Sequence, residues 1–180
     1  MQNDQELRQT IERAKKHDLE ALSRIYEKFF DRIYRYILIR VRNKEAAEDL
    51  AGQTFLRMLE CTSDFDWKGA GFKSWLFRIA HNLVIDLFRN RQTISFDETV
   101  SRAGGSAEDL AIANETLNEV LESLTLLNEN QRQVVLLRLV GGLSCRETAE
   151  TLALSETNVR ALQHRALATV RKQLKVKADV

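Results

Sequence analysis

The stretch Ser144-Cys145-Arg146-Glu147-Thr148-Ala149-Glu150-Thr151-Leu152-Ala153-Leu154-Ser155-Glu156-Thr157-Asn158-Val159 carries the strongest local signal in this chain. Ser144 with Glu147 three residues on forms a capping box, in which hydroxyl and carboxylate satisfy each other's backbone N–H groups, so a helix starts at Cys145. It ends near Leu152. After a turn at Ala153-Leu154, Ser155 caps a longer helix that reaches about Leu174. Val159 and Leu162 face inward, and Ala149 lets the two helices cross closely where a larger side chain would push them apart. A short capped helix, a three-residue turn and a long helix make a helix-turn-helix. The bland alternative is a helical hairpin with a solvated basic face. The outward positions Thr157, Asn158, Arg160, Ala161, His164 and Arg165 mix side chains that read base edges with side chains that hold phosphates.

Upstream of this motif the same periodicity continues. A helix from Glu129 to Val140 stops at Gly141-Gly142, and Ser106 with Asp109 opens another marked by Leu110, Leu117, Val120, Leu124 and Leu127. Thr93 to Ser106 has no sustained period and holds Gly104-Gly105, so it reads as an acidic linker. In the first half, Asp18 caps one long amphipathic helix with Leu19, Leu22, Tyr26, Phe29, Ile33, Ile37 and Val41 on one side. Asn43 caps a helix bearing Ala47, Leu50, Ala51, Met58 and Leu59. Cys61 to Gly71 breaks the pattern, and a further helix shows Phe72, Trp75, Leu76, Ile79, Leu83 and Leu87. Proline is absent and glycine occurs only 7 times, so the expected class is all-α: two small helical domains, 1–92 and 107–180, joined by a flexible linker over 93–106.

At 44% hydrophobic and 29% charged residues the chain reads as a soluble globular protein. No apolar run approaches the roughly 18 residues that span a bilayer, so no membrane role is expected and the cytoplasm is the expected location. Cys61 and Cys145 lie far apart without metal spacing, and the three histidines are scattered, so neither a metal site nor a cofactor is indicated. No nucleophile motif or phosphate loop points to an enzyme. Net charge is only +1. Its distribution is uneven: Glu156 to Lys177 holds six basic residues and one acid, whereas Thr93 to Glu122 holds seven acids and one arginine. Such segregation marks separate surfaces for separate partners. In the free chain the first domain or the acidic linker is expected to cover part of the basic last helix.

The segment Trp67 to Arg91 offers a second nucleic-acid pattern. Arg78, Asn82, Ile85 and Arg89 share one helix face, and the preceding loop Asp66-Trp67-Lys68-Gly69-Ala70-Gly71 puts an aromatic beside a cation. That combination suits unstacked single-stranded bases, although an arginine row is also an ordinary solvated face. Asp49-Leu50-Ala51-Gly52-Gln53-Thr54-Phe55 resembles a DLxQxxF signature, and Phe72-Lys73-Ser74-Trp75-Leu76-Phe77-Arg78-Ile79-Ala80-His81-Asn82 resembles an FxxWLxRIAxN helix. With Gln131-Arg132, Leu137-Arg138, Gly142-Leu143-Ser144 and the helix-turn-helix, these resemble the extracytoplasmic-function sigma factors of the sigma-70 family, over roughly Asp18 to Leu174.

The resemblance implies a non-enzymatic initiation factor that lends promoter recognition to RNA polymerase. Asp49, Leu50, Gln53 and Phe55 would bind the polymerase clamp. Trp67, Lys68, Arg78, Asn82 and Arg89 would hold the opened minus-ten strand. The second domain would bind the polymerase flap and read the minus-thirty-five duplex through Thr157, Asn158, Arg160, Ala161, His164 and Arg165. The linker would thread toward the RNA path, and a separate anti-sigma protein would be a further partner. Two departures stand out: Asn128 where the family usually has proline, although asparagine caps a helix equally well, and Leu162-Gln163 where arginine then an apolar residue is common. The second implies that the inward contact slides from i+4 to i+3. A stand-alone helix-turn-helix regulator is the rival reading, and it leaves the first-domain motifs unexplained.

Overall fold

The computed structural model describes residues 2–67, 69, 71–94 and 122–178, and among these all regular structure is helical. The expected linker, and most of the helix expected from Ser106 onward, lie outside the described residues; 122–125 form its helical end.

Helix α1 (Gln2–Ala14) precedes α2 (Leu19–Val41), whose N-cap is Asp18, its side chain accepting from the Ala21 amide at 3.1 Å. α2 closes at Arg42, a left-handed residue whose N–H returns to the Leu38 carbonyl. Asn43 then caps α3 (Lys44–Cys61) through the Ala46 amide at 2.8 Å. After an irregular segment comes α4 (Phe72–Ile94). The four helices bury Ile11, Ile25, Phe29, Ile33, Ile37, Leu50, Phe55, Met58, Leu76, Phe77 and Val84 in one core.

The stripe expected on α2 is buried at Phe29, Ile33, Ile37 and Val41 but not at its start. Leu19 is 80% exposed and Tyr26 44%, while Ala21 and Ile25 are buried instead. Partners on two sides explain this: α1 borders the side of Ile25, and α3 meets the side of Tyr26, whose ring centroid lies 4.8 Å from that of Phe55, so the buried surface of α2 follows several neighbours rather than one stripe. On α3, Leu59 is likewise half-exposed rather than part of the core.

In the second domain Asn128 caps α5 (Glu129–Leu139) with a full capping box: its side chain accepts from the Gln131 amide at 3.0 Å, and Gln131 Oε1 accepts from the Asn128 amide at 3.2 Å. Asparagine thus does the capping expected of it in proline's place. Arg132 turns back to donate to the carbonyls of Leu124 and Leu127, closing the end of the 122–125 turn. α6 (Cys145–Leu152) begins at the expected Ser144–Glu147 box, and Ala153 leaves it in the left-handed region at φ 53°. α7 (Glu156–Ala178) runs four residues past the expected end at Leu174.

Val134, Ala149, Val159 and Leu162 form a compact core of their own under the helix-turn-helix. Leu162, at i+3 from Val159, takes the inward position, and Gln163 instead accepts from Arg138 Nε at 3.1 Å. The contact has slid as the sequence implied. The remaining apolar face of the second domain, with Leu124, Leu127, Val135, Leu136, Leu137, Leu143 and Ala166, joins the first domain's core.

Candidate polymerase and nucleic-acid interfaces

On α3 the four residues expected to bind polymerase divide in two. Asp49 is exposed and Gln53 partly so, and Gln53 Nε2 donates to Asp49 Oδ2 at 2.7 Å, which holds both heads on one patch of surface. Leu50 and Phe55 are buried. Phe55 packs in tilted contacts on Tyr26 at 4.8 Å and Phe30 at 6.0 Å between ring centroids, so Leu50 and Phe55 serve to fix the helix in place. Leu56, 59% exposed, sits at i+3 from Gln53 and i+7 from Asp49 on the outer face. Tyr26 and Leu59 edge a mainly apolar groove beside it. Leu56 belongs to no motif letter, and its signal in the sequence is an apolar residue off the buried stripe.

The irregular segment before α4 is held by aromatic packing. Phe65 is buried against Trp67, Phe72 and Trp75, with centroids 5.1–5.3 Å apart. Helix α1 clamps it from outside. Lys15 donates to the Phe65 carbonyl at 2.9 Å, Glu12 accepts from the Trp67 indole N–H at 2.6 Å, and the Arg8 guanidinium lies 4.7 Å over the Trp67 ring. No motif marks α1, whose signal in the sequence is Leu7, Ile11 and Ala14 at i, i+4 and i+7. Lys68 lies outside the described residues.

Arg78, Asn82, Ile85 and Arg89 emerge together on the exposed face of α4, as their spacing required. Arg89 pairs with Asp86 at 3.0 Å. Arg78 is held by the other domain: its Nη2 donates to the Glu150 carbonyl at 2.9 Å. Around it Ser74 Oγ bonds Glu150 Oε2 at 3.0 Å, Thr151 Oγ1 donates to the Ser74 carbonyl, and Lys73 donates to the Gly142 carbonyl. α6 therefore lies across the first turns of α4. At the far end of the same interface, Arg40 has a nearly buried side chain 2.8 Å from Glu129. That contact is an ion pair without aligned hydrogen bonds, for among the described residues neither terminal nitrogen of Arg40 has a hydrogen-bond partner. Next to it Tyr36 and His81 share a 3.0 Å hydrogen bond; burial first, then the Arg40 cation, pushes the His81 imidazolium down to about 4, and burial pushes the Tyr36 phenol up to about 12.

On α7 the candidate base and phosphate contacts all face outward: Thr157, Asn158, Arg160, His164 and Arg165 are exposed and Ala161 partly so. Arg160 pairs within its own helix with Glu156 at 2.9 Å. The described first-domain residues leave Arg160, Arg165, Arg171 and Lys172 exposed, and α6 lies over α4 instead of the first domain over α7; the linker's part in the expected masking lies outside the described residues. No described helix is long and apolar enough to cross a membrane.

Comparison with known proteins matches the two halves separately. The family model for Sigma-70 region 2 matches residues 25–94, and that for Sigma-70, region 4 matches residues 117–170. The ECF RNA polymerase sigma factor BldN of Streptomyces coelicolor is 36% identical over 169 residues, 91% of this chain; the chain spans 64% of that relative's length. The ECF RNA polymerase sigma factor SigX of Bacillus subtilis is 31% identical, with 87% of this chain and 85% of SigX covered. Among solved structures, CnrH in complex with the cytosolic domain of CnrY has the same fold, with a TM-score of 0.74 at 24% identity, covering 94% of this chain and 97% of that one. The sigma factor RpoE in complex with the anti-sigma factor NepR from Bartonella quintana gives 0.70 at 19%, covering 86% and 96%.

Proposed function

This chain belongs to the extracytoplasmic-function sigma factors of the sigma-70 family, proteins that direct RNA polymerase to promoters, and on that premise we propose how its surfaces divide the work. Residues 1–92 bind the polymerase clamp through Asp49 and Gln53, with Leu56 beside them, and hold the opened minus-ten strand on Trp67, Lys68, Arg78, Asn82 and Arg89. Residues 107–180 bind the flap and read the minus-thirty-five duplex through α7. Its phosphate contacts are Arg160 and Arg165, and Asn158 and His164 reach base edges, with Thr157 and Ala161 lying against the groove. Residues 93–106 run toward the RNA path. The chain has no catalytic role of its own and works in the cytoplasm with the polymerase.

One observation carries this reading: a polar patch on α3, an arginine row on α4 and a basic recognition face on α7 are exposed on three different helices of one chain. Three surfaces fit three simultaneous contacts. A regulator that binds closed duplex alone needs only the third. Because CnrH and RpoE were solved with CnrY and the anti-sigma factor NepR, an anti-sigma protein is a further proposed partner. Reconstitution with polymerase core on a matched promoter tests the whole: run-off transcription that depends on this chain is the expected result. Tight, specific duplex binding with no affinity for core would overturn it in favour of the stand-alone regulator.

A further inference from the structure

Behind the outward face of α7 the helix-turn-helix holds a polar joint. Arg138, next to last in α5, donates through Nε to Gln163 Oε1 at 3.1 Å and through Nη1 to the Leu143 carbonyl at 2.6 Å. Leu143 is buried and directly precedes Ser144, the N-cap of α6. One planar guanidinium therefore ties together α5, the entry to α6 and the middle of α7. Both bonds are partly buried, where water competes with them less than at an open surface. A weaker tie joins the same two elements, Cys145 Sγ donating to the Glu156 carbonyl at 3.5 Å.

Among the described residues, the buried core under these helices is Val134, Ala149, Val159 and Leu162. Apolar contact is not directional, so these side chains hold α7 down without setting its rotation about its own axis. Hydrogen bonds are directional and can set it. That rotation matters to a reading helix, because successive residues lie about 100° apart around the axis and bidentate base contacts follow from geometry. With Leu162 in the core, position 163 is released for a polar contact, one residue before His164 on the outward face. We propose that Arg138 and Gln163 are positioning residues for duplex reading: their hydrogen bond fixes the rotation of α7, and with it the base edges that Asn158 and His164 reach. The proposal rests on the reading of α7 as the minus-thirty-five reader. Position 138 needs arginine, whose rigid fork meets two acceptors in fixed relative geometry, whereas a lysine ammonium is a rotatable point donor. Position 163 needs an acceptor, which glutamate also supplies. Arg138 belongs to α5, outside the outward set on α7, and its charge acts on Lys73 of the first domain. Its replacement therefore removes no expected base contact.

The test uses polymerase core loaded with the full chain, and promoter duplexes carrying single substitutions in the minus-thirty-five element. Competition binding gives each duplex's affinity relative to the matched one. Wild type should penalise a wrong base pair about fivefold or more. In Arg138→Lys and in Gln163→Ala that discrimination should fall by about threefold or more at the same positions, as misplaced contacts are lost. Gln163→Glu should keep the wild-type order of preference, even where its charge lowers affinity on all duplexes alike. Circular dichroism checks folding, and alanine at 163 is a good helix former. A uniform loss with the order intact in Arg138→Lys and Gln163→Ala would overturn the proposal, because it marks support of the fold alone; so would wild-type behaviour of both. A changed order in one of the two, or in Gln163→Glu as well, would overturn the hydrogen bond as its cause. Failure of the underlying reading shows separately, as a wild-type complex indifferent to minus-thirty-five substitutions.

Discussion

Asp49 and Gln53 bond to each other one helical turn apart on an exposed face, a pairing worth only about 0.2–0.5 kcal/mol to the helix. Asp49→Ala with Gln53→Ala should therefore leave the melting temperature nearly unchanged while weakening core binding by about 1.5–3 kcal/mol, the value of a charged interfacial hydrogen bond. A titration with core polymerase checks this. Phe55→Ala should behave oppositely, losing about 3–5 kcal/mol of stability because it empties a buried aromatic site. Equal effects of the two variants on stability would undo the division of that motif into contact and anchor. His81 gives a residue-scale prediction in pH. Folded, it stays neutral down to about pH 4, whereas an unfolded imidazole takes up its proton near 6.5. Between those values the unfolded chain binds more protons, so this contribution is complete above pH 6.5 and is lost as pH falls toward 4, by up to ~3 kcal/mol. Urea midpoints from pH 7 to 4.5 should fall more steeply for wild type than for His81→Gln; parallel curves would clear His81 of the acid sensitivity.

At the scale of elements, short α6 depends on its ends. Eight residues make about two turns, too few to be stable alone, and the Ser144–Glu147 box satisfies amides that would otherwise be orphaned at its start. Ser144→Ala should cost about 1 kcal/mol, seen as a lower denaturation midpoint, and weaken duplex binding only through the tilt of α7. The face of α7 makes a sharper prediction. Arg160→Ala and Arg165→Ala should each weaken binding on every duplex and reduce the salt slope by about 0.9, while Asn158→Ala or His164→Ala should change the ranking among promoter variants. Anisotropy on a small set of minus-thirty-five variants separates the two classes. A sequence-selective loss in Arg160→Ala would reassign that side chain to a base edge. Leu162 and Gln163 shape this face indirectly: with Gln163 tied to Arg138, and Arg138 Nη1 donating to the Leu143 carbonyl at 2.6 Å, α7 is braced against the turn after α5.

For the whole molecule, the shared core is the decisive feature. Leu124, Leu127, Val135, Leu136 and Leu137 bury themselves with first-domain residues, and Arg40 meets Glu129 across the same boundary. Both tryptophans lie in the first domain, whereas helicity spans both. Unfolding followed by tryptophan fluorescence and by far-ultraviolet dichroism should therefore give one coincident transition. Separated midpoints would show that the domains unfold independently and that the interface is weak. Glu129→Ala leaves a nearly buried arginine without its counter-ion and should lower that common midpoint. Much of this was legible beforehand. Helix class, the caps at Asp18, Asn43, Asn128 and Ser144, the outward faces of α4 and α7 and the slide to Leu162 all followed from the sequence, because caps and 3.6-residue periodicity are local and each is written within a few positions. What the sequence could not give was which apolar face meets which: the role of α1 in clamping Trp67, the burial of Phe55 against the exposure of Leu56, and the laying of α6 over α4 rather than of the first domain over α7. Those depend on competition among distant surfaces for the same burial. Apolar contact is not directional, so it leaves no spacing rule in the chain that says where its partner lies.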